Sequence, residues 1–288
     1  MNNQHKYYIA NGAVLLVIGV GVLSFLKDAL TEDVTPPCDE RYANYLVFPE
    51  NVGVGERISD ESVELFLDSD VQGLSAFTRV VHSKEGAPSV QLETRLPKGS
   101  SNPRRADGII GGMGFAWQPE LPAKATSACL TYKVWLPKAF KFANGGTLPG
   151  LFGGAAPGVD GFDDPSEGFS ANMVWEDRGM PGLRTYDTTN SSRRGRRVTL
   201  DTHALPLGQW IKVSQELILN TPGQSDGMSR VWIDDELKLE NMSVVFSNNK
   251  KLSISGVLGD IYYDGRWKNN GSPKDTFLRT TPFVLNWK

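Results

Sequence analysis

Polar and apolar residues alternate in several runs of the chain, among them Val90–Leu96, Ala128–Leu136, Phe169–Trp175, Trp210–Leu219, Ser229–Ile233 and Thr281–Trp287. A period of two sends successive side chains to opposite faces, the signature of a β-strand with one face on a core. Turn-forming clusters separate the runs: Asn102-Pro103, Asn144-Gly145-Gly146, Ala156-Pro157-Gly158, Thr221-Pro222-Gly223 and Ser225-Asp226-Gly227. Such residues supply positive φ or fix φ near −65°, so they punctuate short strands. No long helical period and no internal repeat competes within the body. The pattern predicts an all-β fold, a two-sheet antiparallel sandwich of the jelly-roll, concanavalin-like kind.

One stretch breaks the pattern. Ile9–Leu26 is a run of 18 residues without a charge, about the length of a membrane-spanning helix. His5 and Lys6 precede it, and Asp28, Glu32 and Asp33 follow, a bias that favours a cytoplasmic N-terminus and an exported body. The expected organisation is a short cytoplasmic segment 1–8, a transmembrane anchor 9–26 with a cleaved signal peptide as its rival, a linker 27–41 stiffened by Pro36-Pro37, and one domain 42–288 in the periplasm or outside the cell.

Composition adds little until charge is resolved locally. The 30 Gly and 17 Pro suit many tight turns, and the formal net charge of −3 argues against general nucleic-acid affinity. Cys38 and Cys129 cannot form a disulfide framework, although an exported domain permits one bridge between them. Cys129 also fits as a small core residue. Two cysteines and three scattered histidines give no zinc spacing, and the acidic loop Asp160, Asp163, Asp164, Glu167 matches no standard calcium loop, so neither cofactor nor metal is expected. His82 and His203 stand without a motif and read as structural. Arg193-Arg194-Gly195-Arg196-Arg197 is the strongest local charge signal and suits an acidic glycan, which it can both hold and steer.

The block Gly145-Gly146-Thr147-Leu148-Pro149-Gly150-Leu151-Phe152-Gly153-Gly154, followed by Gly168–Trp175, Leu183-Arg184-Thr185-Tyr186, Trp210, Asn220 and Gly227, resembles the polysaccharide lyase family 14 domain. Family 20 glucuronan lyases are its structural relatives. The resemblance spans roughly Leu92 to Asn286 and implies a jelly roll with a polymer-binding face that cleaves uronate chains, such as alginate or glucuronan, by β-elimination. The sequence departs from the family pattern in three places. Thr147 stands where the family has a lysine, Ser170 and Asn172 stand for a Ser-x-Arg pair, and Arg184 and Tyr186 stand for a Tyr-x-Tyr pair.

Elimination from a uronate requires neutralising the C6 carboxylate, removing the C5 proton and protonating the departing O4. A tyrosine beside a cation can carry the proton. Tyr186 and Arg184, two apart on one strand face, are therefore the expected catalytic pair. Asn172 and Ser170 share a face in the same way and are expected to bind substrate, as are Thr147, the alternating Gln91, Glu93 and Arg95, and Tyr263 as a sugar-stacking platform. Trp117, Trp175 and Trp267 are expected in the core. The partners implied are an acidic polysaccharide, the membrane through the N-terminal helix, and polysaccharide secretion machinery, with no nucleic acid. Two alternatives remain open. One is a non-catalytic carbohydrate-binding component of exopolysaccharide biosynthesis or secretion. The other is a sandwich-fold glycoside hydrolase, although the acidic clusters Glu176-Asp177 and Asp234-Asp235-Glu236 do not present its paired carboxylates.

Overall fold

The computed structural model describes residues 35–49, 74–82, 87–105, 108–121, 125–155, 166–188, 195–265 and 271–288. The expected span Ile9–Leu26 lies outside them, and among the described residues no helix is long and apolar enough to cross a membrane. The strands in chain order are β1 (Asn44–Phe48), β2 (Thr78–His82), β3 (Val90–Leu96), β4 (Ser100–Ser101), β5 (Ile109–Ile110), β6 (Ala116–Trp117), β7 (Ser127–Trp135), β8 (Gly146–Gly154) and β9 (Gly168–Trp175). They continue with β10 (Pro181–Tyr186), β11 (Arg196–Thr199), β12 (Trp210–Ile218), β13 (Gly227–Ile233), β14 (Glu236–Val244), β15 (Ile254–Leu258), β16 (Tyr262–Tyr263), β17 (Thr276–Thr280) and β18 (Phe283–Trp287). Each of the six alternating runs read from the sequence becomes a strand.

Two large antiparallel sheets make the fold, with β4 and β5 forming a short parallel pair apart from them. The back sheet has nine strands ordered β14-β13-β12-β7-β17-β3-β2, with β18 also pairing with β7 and carrying β1 on its other side. The front sheet has seven, ordered β11-β10-β9-β8-β15-β6, with β16 also pairing with β8. Alternation fills the space between them. Leu130, Tyr132 and Val134 of β7, Ile211, Val213 and Leu217 of β12, and Phe169, Ala171, Met173 and Trp175 of β9 belong to one buried cluster. Gln215 also points inward from β12, and its Nε2 donates to the Ala171 carbonyl of the opposite sheet at 3.0 Å. That bond offsets the burial of its amide N–H.

The glycine-rich block is β8. Thr147 faces Val174 while Gly150 faces Asn172, so β8 holds an extra residue there, a β-bulge. Pro149, which has no N–H for the ladder, sits in the bulge, a position that tolerates it. Gly150 is required by close approach, since a Cβ on it would lie 2.0 Å from the Ala171 carbonyl oxygen.

The packed body begins at Pro37, ahead of the expected boundary at Tyr42. Cys38 and Cys129 form a disulfide with a Cα separation of 5.7 Å. Around it Arg41 donates to Glu216 Oε2 at 2.8 Å, and the Tyr42 hydroxyl donates to Glu216 Oε1 at 2.7 Å. Arg41 lies 5.6 Å over the Trp232 ring. The end of the linker is thus clasped to the outside of the back sheet.

Candidate functional site

The outer face of the front sheet, turned away from the core, carries polar side chains that are nonetheless buried. Because Phe169, Ala171, Met173 and Trp175 fill the core, Ser170 and Asn172 fall on the outer face, where they are 0% and 2% exposed. On β10 Leu183 packs inward, so Gly182, Arg184 and Tyr186 point outward. Cross-strand register aligns them in rows: Gly150, Asn172, Arg184 and Arg197 across β8, β9, β10 and β11, and Phe152, Ser170 and Tyr186 beside them. Tyr262 of β16 stands opposite Thr147.

Arg184 is the hub of the row. Its Nη2 donates to Thr147 Oγ1 at 2.8 Å, and its Nη1 lies 3.3 Å from Asp264 Oδ2. Thr147 Oγ1 in turn donates to Asp264 Oδ1 at 2.9 Å. Arg197 Nη2 donates to Asp264 Oδ2 at 2.6 Å, and its Nη1 lies 3.5 Å from Glu176 Oε2. Nearby, Arg104 Nη1 donates to Asp260 Oδ1 at 2.8 Å. The Tyr186 ring packs against the Arg184 guanidinium, 5.9 Å from its centroid. Arg184 Nε and Ser170 Oγ are buried with no hydrogen-bond partner among the described residues.

The charges set one another's protonation. Burial works against the Arg184 cation, but Asp264, Tyr262, Tyr186 and Asp260 outweigh it and raise its pKa. Burial likewise opposes the Asp264 carboxylate, and Arg184, Arg197 and the Thr147 hydrogen bond overcome it, lowering its pKa below the usual carboxylate value. Tyr262 is pushed the other way: burial and then Asp260 raise its pKa against the pull of Arg184 and Arg104, so its proton is held firmly.

Gly195 brings the start of β11 over this pair. Its φ is +67°, and a Cβ there would meet the Thr185 carbonyl at 2.7 Å and Tyr186 Cε2 at 3.1 Å. Only glycine takes that conformation and that space without strain.

The fold brings Ser170, Asn172, Arg184 and Tyr186 onto one face, and Thr147 joins them through its bond to Arg184. Other candidates do not join them. Gln91, Glu93 and Arg95 share a strand face, but β3 belongs to the back sheet and they point outward there, separated from Arg184 by the core. Gln91 is buried with Nε2 donating to the Pro88 carbonyl, and Glu93 pairs with Arg79 at 2.6 Å and Arg279 at 2.8 Å. Tyr263 is no stacking platform: it is 1% exposed, stacks on Phe140, meets Trp175 edge-on and donates its hydroxyl to the Lys141 carbonyl. Its neighbour Tyr262 has the site-facing position, because adjacent residues of a strand point oppositely. Trp117 and Trp175 are core residues, whereas Trp267, Arg193, Arg194, Asp160, Asp163 and Asp164 lie outside the described residues. Asp264 and the pair Arg104–Asp260 had no signal in the sequence, since no local spacing ties Asp264 to a partner 80 residues away.

Residues 84–281 match the family model described as polysaccharide lyase 14. Among solved structures, the marine PL-14 alginate lyase from Aplysia kurodai is similar at a TM-score of 0.69 and 20% identity, covering 86% of this chain and 99% of that one. Alginate lyase vAL-1 from Chlorella virus is similar at 0.64 and 18% identity, covering 82% and 100%. A variant of alginate lyase Aly36B in complex with an alginate tetrasaccharide is similar at 0.65 and 18% identity, covering 85% and 97%. No curated protein matches the chain. At these identities the structural likenesses establish the jelly-roll fold.

Proposed function

Since the chain belongs to the polysaccharide lyase 14 family, we propose that it cleaves a uronate-containing polysaccharide by β-elimination on the outer face of the front sheet, with Tyr186 as proton carrier. The observation that carries this reading is the buried Arg184 guanidinium, packed on the Tyr186 ring and bonded to Thr147, where the family pattern resembled by this sequence has its lysine. The cation that position lacks is supplied from β10, two strands away across β9. Arg184 and Tyr186 thus meet on one face, where the uronate's charge and its C5 proton must both be handled. Asn172 and Arg184, aligned across β9 and β10, are the residue types that hydrogen-bond a C6 carboxylate, whose neutralisation makes that proton removable. Alginate and glucuronan are the substrate classes to test first.

A second reading has its own support. Asp264 already takes up both Arg184 and Arg197, which suits a surface that binds a polymer without cutting it. We also place the domain outside the cytoplasm, tethered by Ile9–Leu26, a reading favoured by the Cys38–Cys129 disulfide, since such bonds persist in oxidising compartments. The test is ultraviolet absorbance of unsaturated products from a panel of acidic polysaccharides, with Tyr186→Phe in parallel. A signal lost in the variant supports elimination. Polymer binding with no signal from any substrate leaves the silent binding module.

A further inference from the structure

The outer face of the back sheet holds an arrangement that the front site does not use. Leu278, Val134 and Ile211 point into the core, so Phe277 and Arg279 of β17, Lys133 and Trp135 of β7, and Trp210 of β12 point outward. Trp210 stands opposite Trp135, and Trp135 opposite Arg279, while Phe277 stands opposite Arg95. The rings of Trp135 and Phe277 are 6.0 Å apart and nearly parallel, and Arg279 lies 5.4 Å and 5.2 Å from their centroids. Glu93 fixes Arg279 through two bonds of 3.0 and 2.8 Å, and also holds Arg79. The three aromatic residues are half-buried, and Arg95 and Lys133 are exposed with no ion pair among the described residues.

Across the outward positions of β2, β3, β17 and β7, the cations Arg79, Arg95, Lys133 and Arg279 face one carboxylate, Glu93. This is a local positive field in a chain whose formal charge is −3. Lys212, further along β12, is already neutralised by Asp39 and Asp235. Flat aromatic rings held rigidly beside guanidinium and ammonium groups match a chain of uronates, whose pyranose faces are apolar and whose edges carry carboxylates. We propose that this back face, centred on Trp135, Phe277 and Arg279, is a second binding surface for an acidic polysaccharide, holding the polymer on the side of the molecule opposite to the Arg184 site. Among the described residues its outward strand positions on β2, β3, β17, β7 and β12 carry no tyrosine to serve as a proton carrier, so the proposal is one of binding without cleavage.

The test is affinity electrophoresis of the full chain in gels containing sodium alginate, with dextran as the neutral control, all in a Tyr186→Phe background so that the polymer stays intact. Arg95→Glu combined with Lys133→Glu changes only exposed positions, and its melting temperature checks that the fold is kept. Apparent affinity for alginate is expected to fall roughly tenfold, the sum of several weak surface charge contacts. Trp135→Ala is expected to weaken it further, and if that variant fails to fold the charge reversal decides alone. Alginate retardation equal to the parent in the charge-reversed variant overturns the proposal, as does equal retardation of the parent by dextran. Elimination by the protein with native Tyr186 is read separately, so the front-face reading can fail while this one stands.

Discussion

Replacing Arg184 by leucine removes one of the two cations that hold Asp264. Losing one partner of a buried ion pair typically costs about 3–5 kcal/mol, because the remaining charge is left uncompensated. Here Arg197 stays at 2.6 Å from the carboxylate, which puts the expected cost at the low end, about 3 kcal/mol. For a domain of this size, each kcal/mol shifts the melting temperature by about 2–4 °C, so Arg184→Leu is expected to melt roughly 6–12 °C lower at neutral pH. Asp264→Leu leaves two guanidiniums facing one another and is expected to lose a similar amount. The double variant removes both charges and is expected to recover about 1–3 kcal/mol relative to additivity. The sign of the pH dependence follows from the direction of the Asp264 shift. Its folded pKa lies below the unfolded value, so the unfolded chain binds more protons in that window. The contribution is therefore present above the unfolded carboxylate pKa of about 3.9 and is lost as pH falls through the lower folded value. The gap between the native protein and Arg184→Leu should accordingly close in acid. Thermal unfolding followed by circular dichroism across pH checks all of this. An Arg184→Leu melting temperature within about 2 °C of the native one, or strict additivity in the double variant, would refute a coupled Arg184–Asp264 hub.

Gly195→Ala forces a left-handed φ on alanine and presses its Cβ toward Tyr186, at a cost of about 1–3 kcal/mol. Any elimination activity should fall more steeply than the melting temperature does, and unchanged turnover would detach Tyr186 from the chemistry. Gly150→Ala places a methyl 2.0 Å from the Ala171 carbonyl at the centre of the front sheet, so soluble expression and melting should collapse together. Reducing Cys38–Cys129 opens a closure of 91 residues, worth up to about 4–5 kcal/mol in the chain-entropy account. A melting temperature insensitive to dithiothreitol would show that the bridge is not formed in solution.

Alternation made the strands legible, because a sandwich buries one face of each strand and period two is then imposed on the sequence. It also gave the pairs Ser170 with Asn172 and Arg184 with Tyr186, since residues two apart on a strand share a face whatever the sheet order. The same logic failed for Gln91, Glu93 and Arg95. Periodicity says which residues share a face, and nothing in β3 says to which sheet that face belongs. Tyr262 and Tyr263 form a strand of two residues, too short for any pattern to say which one points inward. The disulfide and the Asp264 hub join residues 91 and 80 positions apart, and such closures come from sheet order rather than from local spacing.

The clasp at Cys38 decides how the domain answers to force. A pull on the chain ahead of Pro37 reaches the fold through a covalent bond at Cys129, within β7, which has β12 along one side and β18 along the other. An attachment at the free edge of a sheet would peel apart one hydrogen bond at a time. Load delivered to an interior strand meets hydrogen bonds to both neighbours, so parting that strand breaks two ladders rather than one while the bridge is intact.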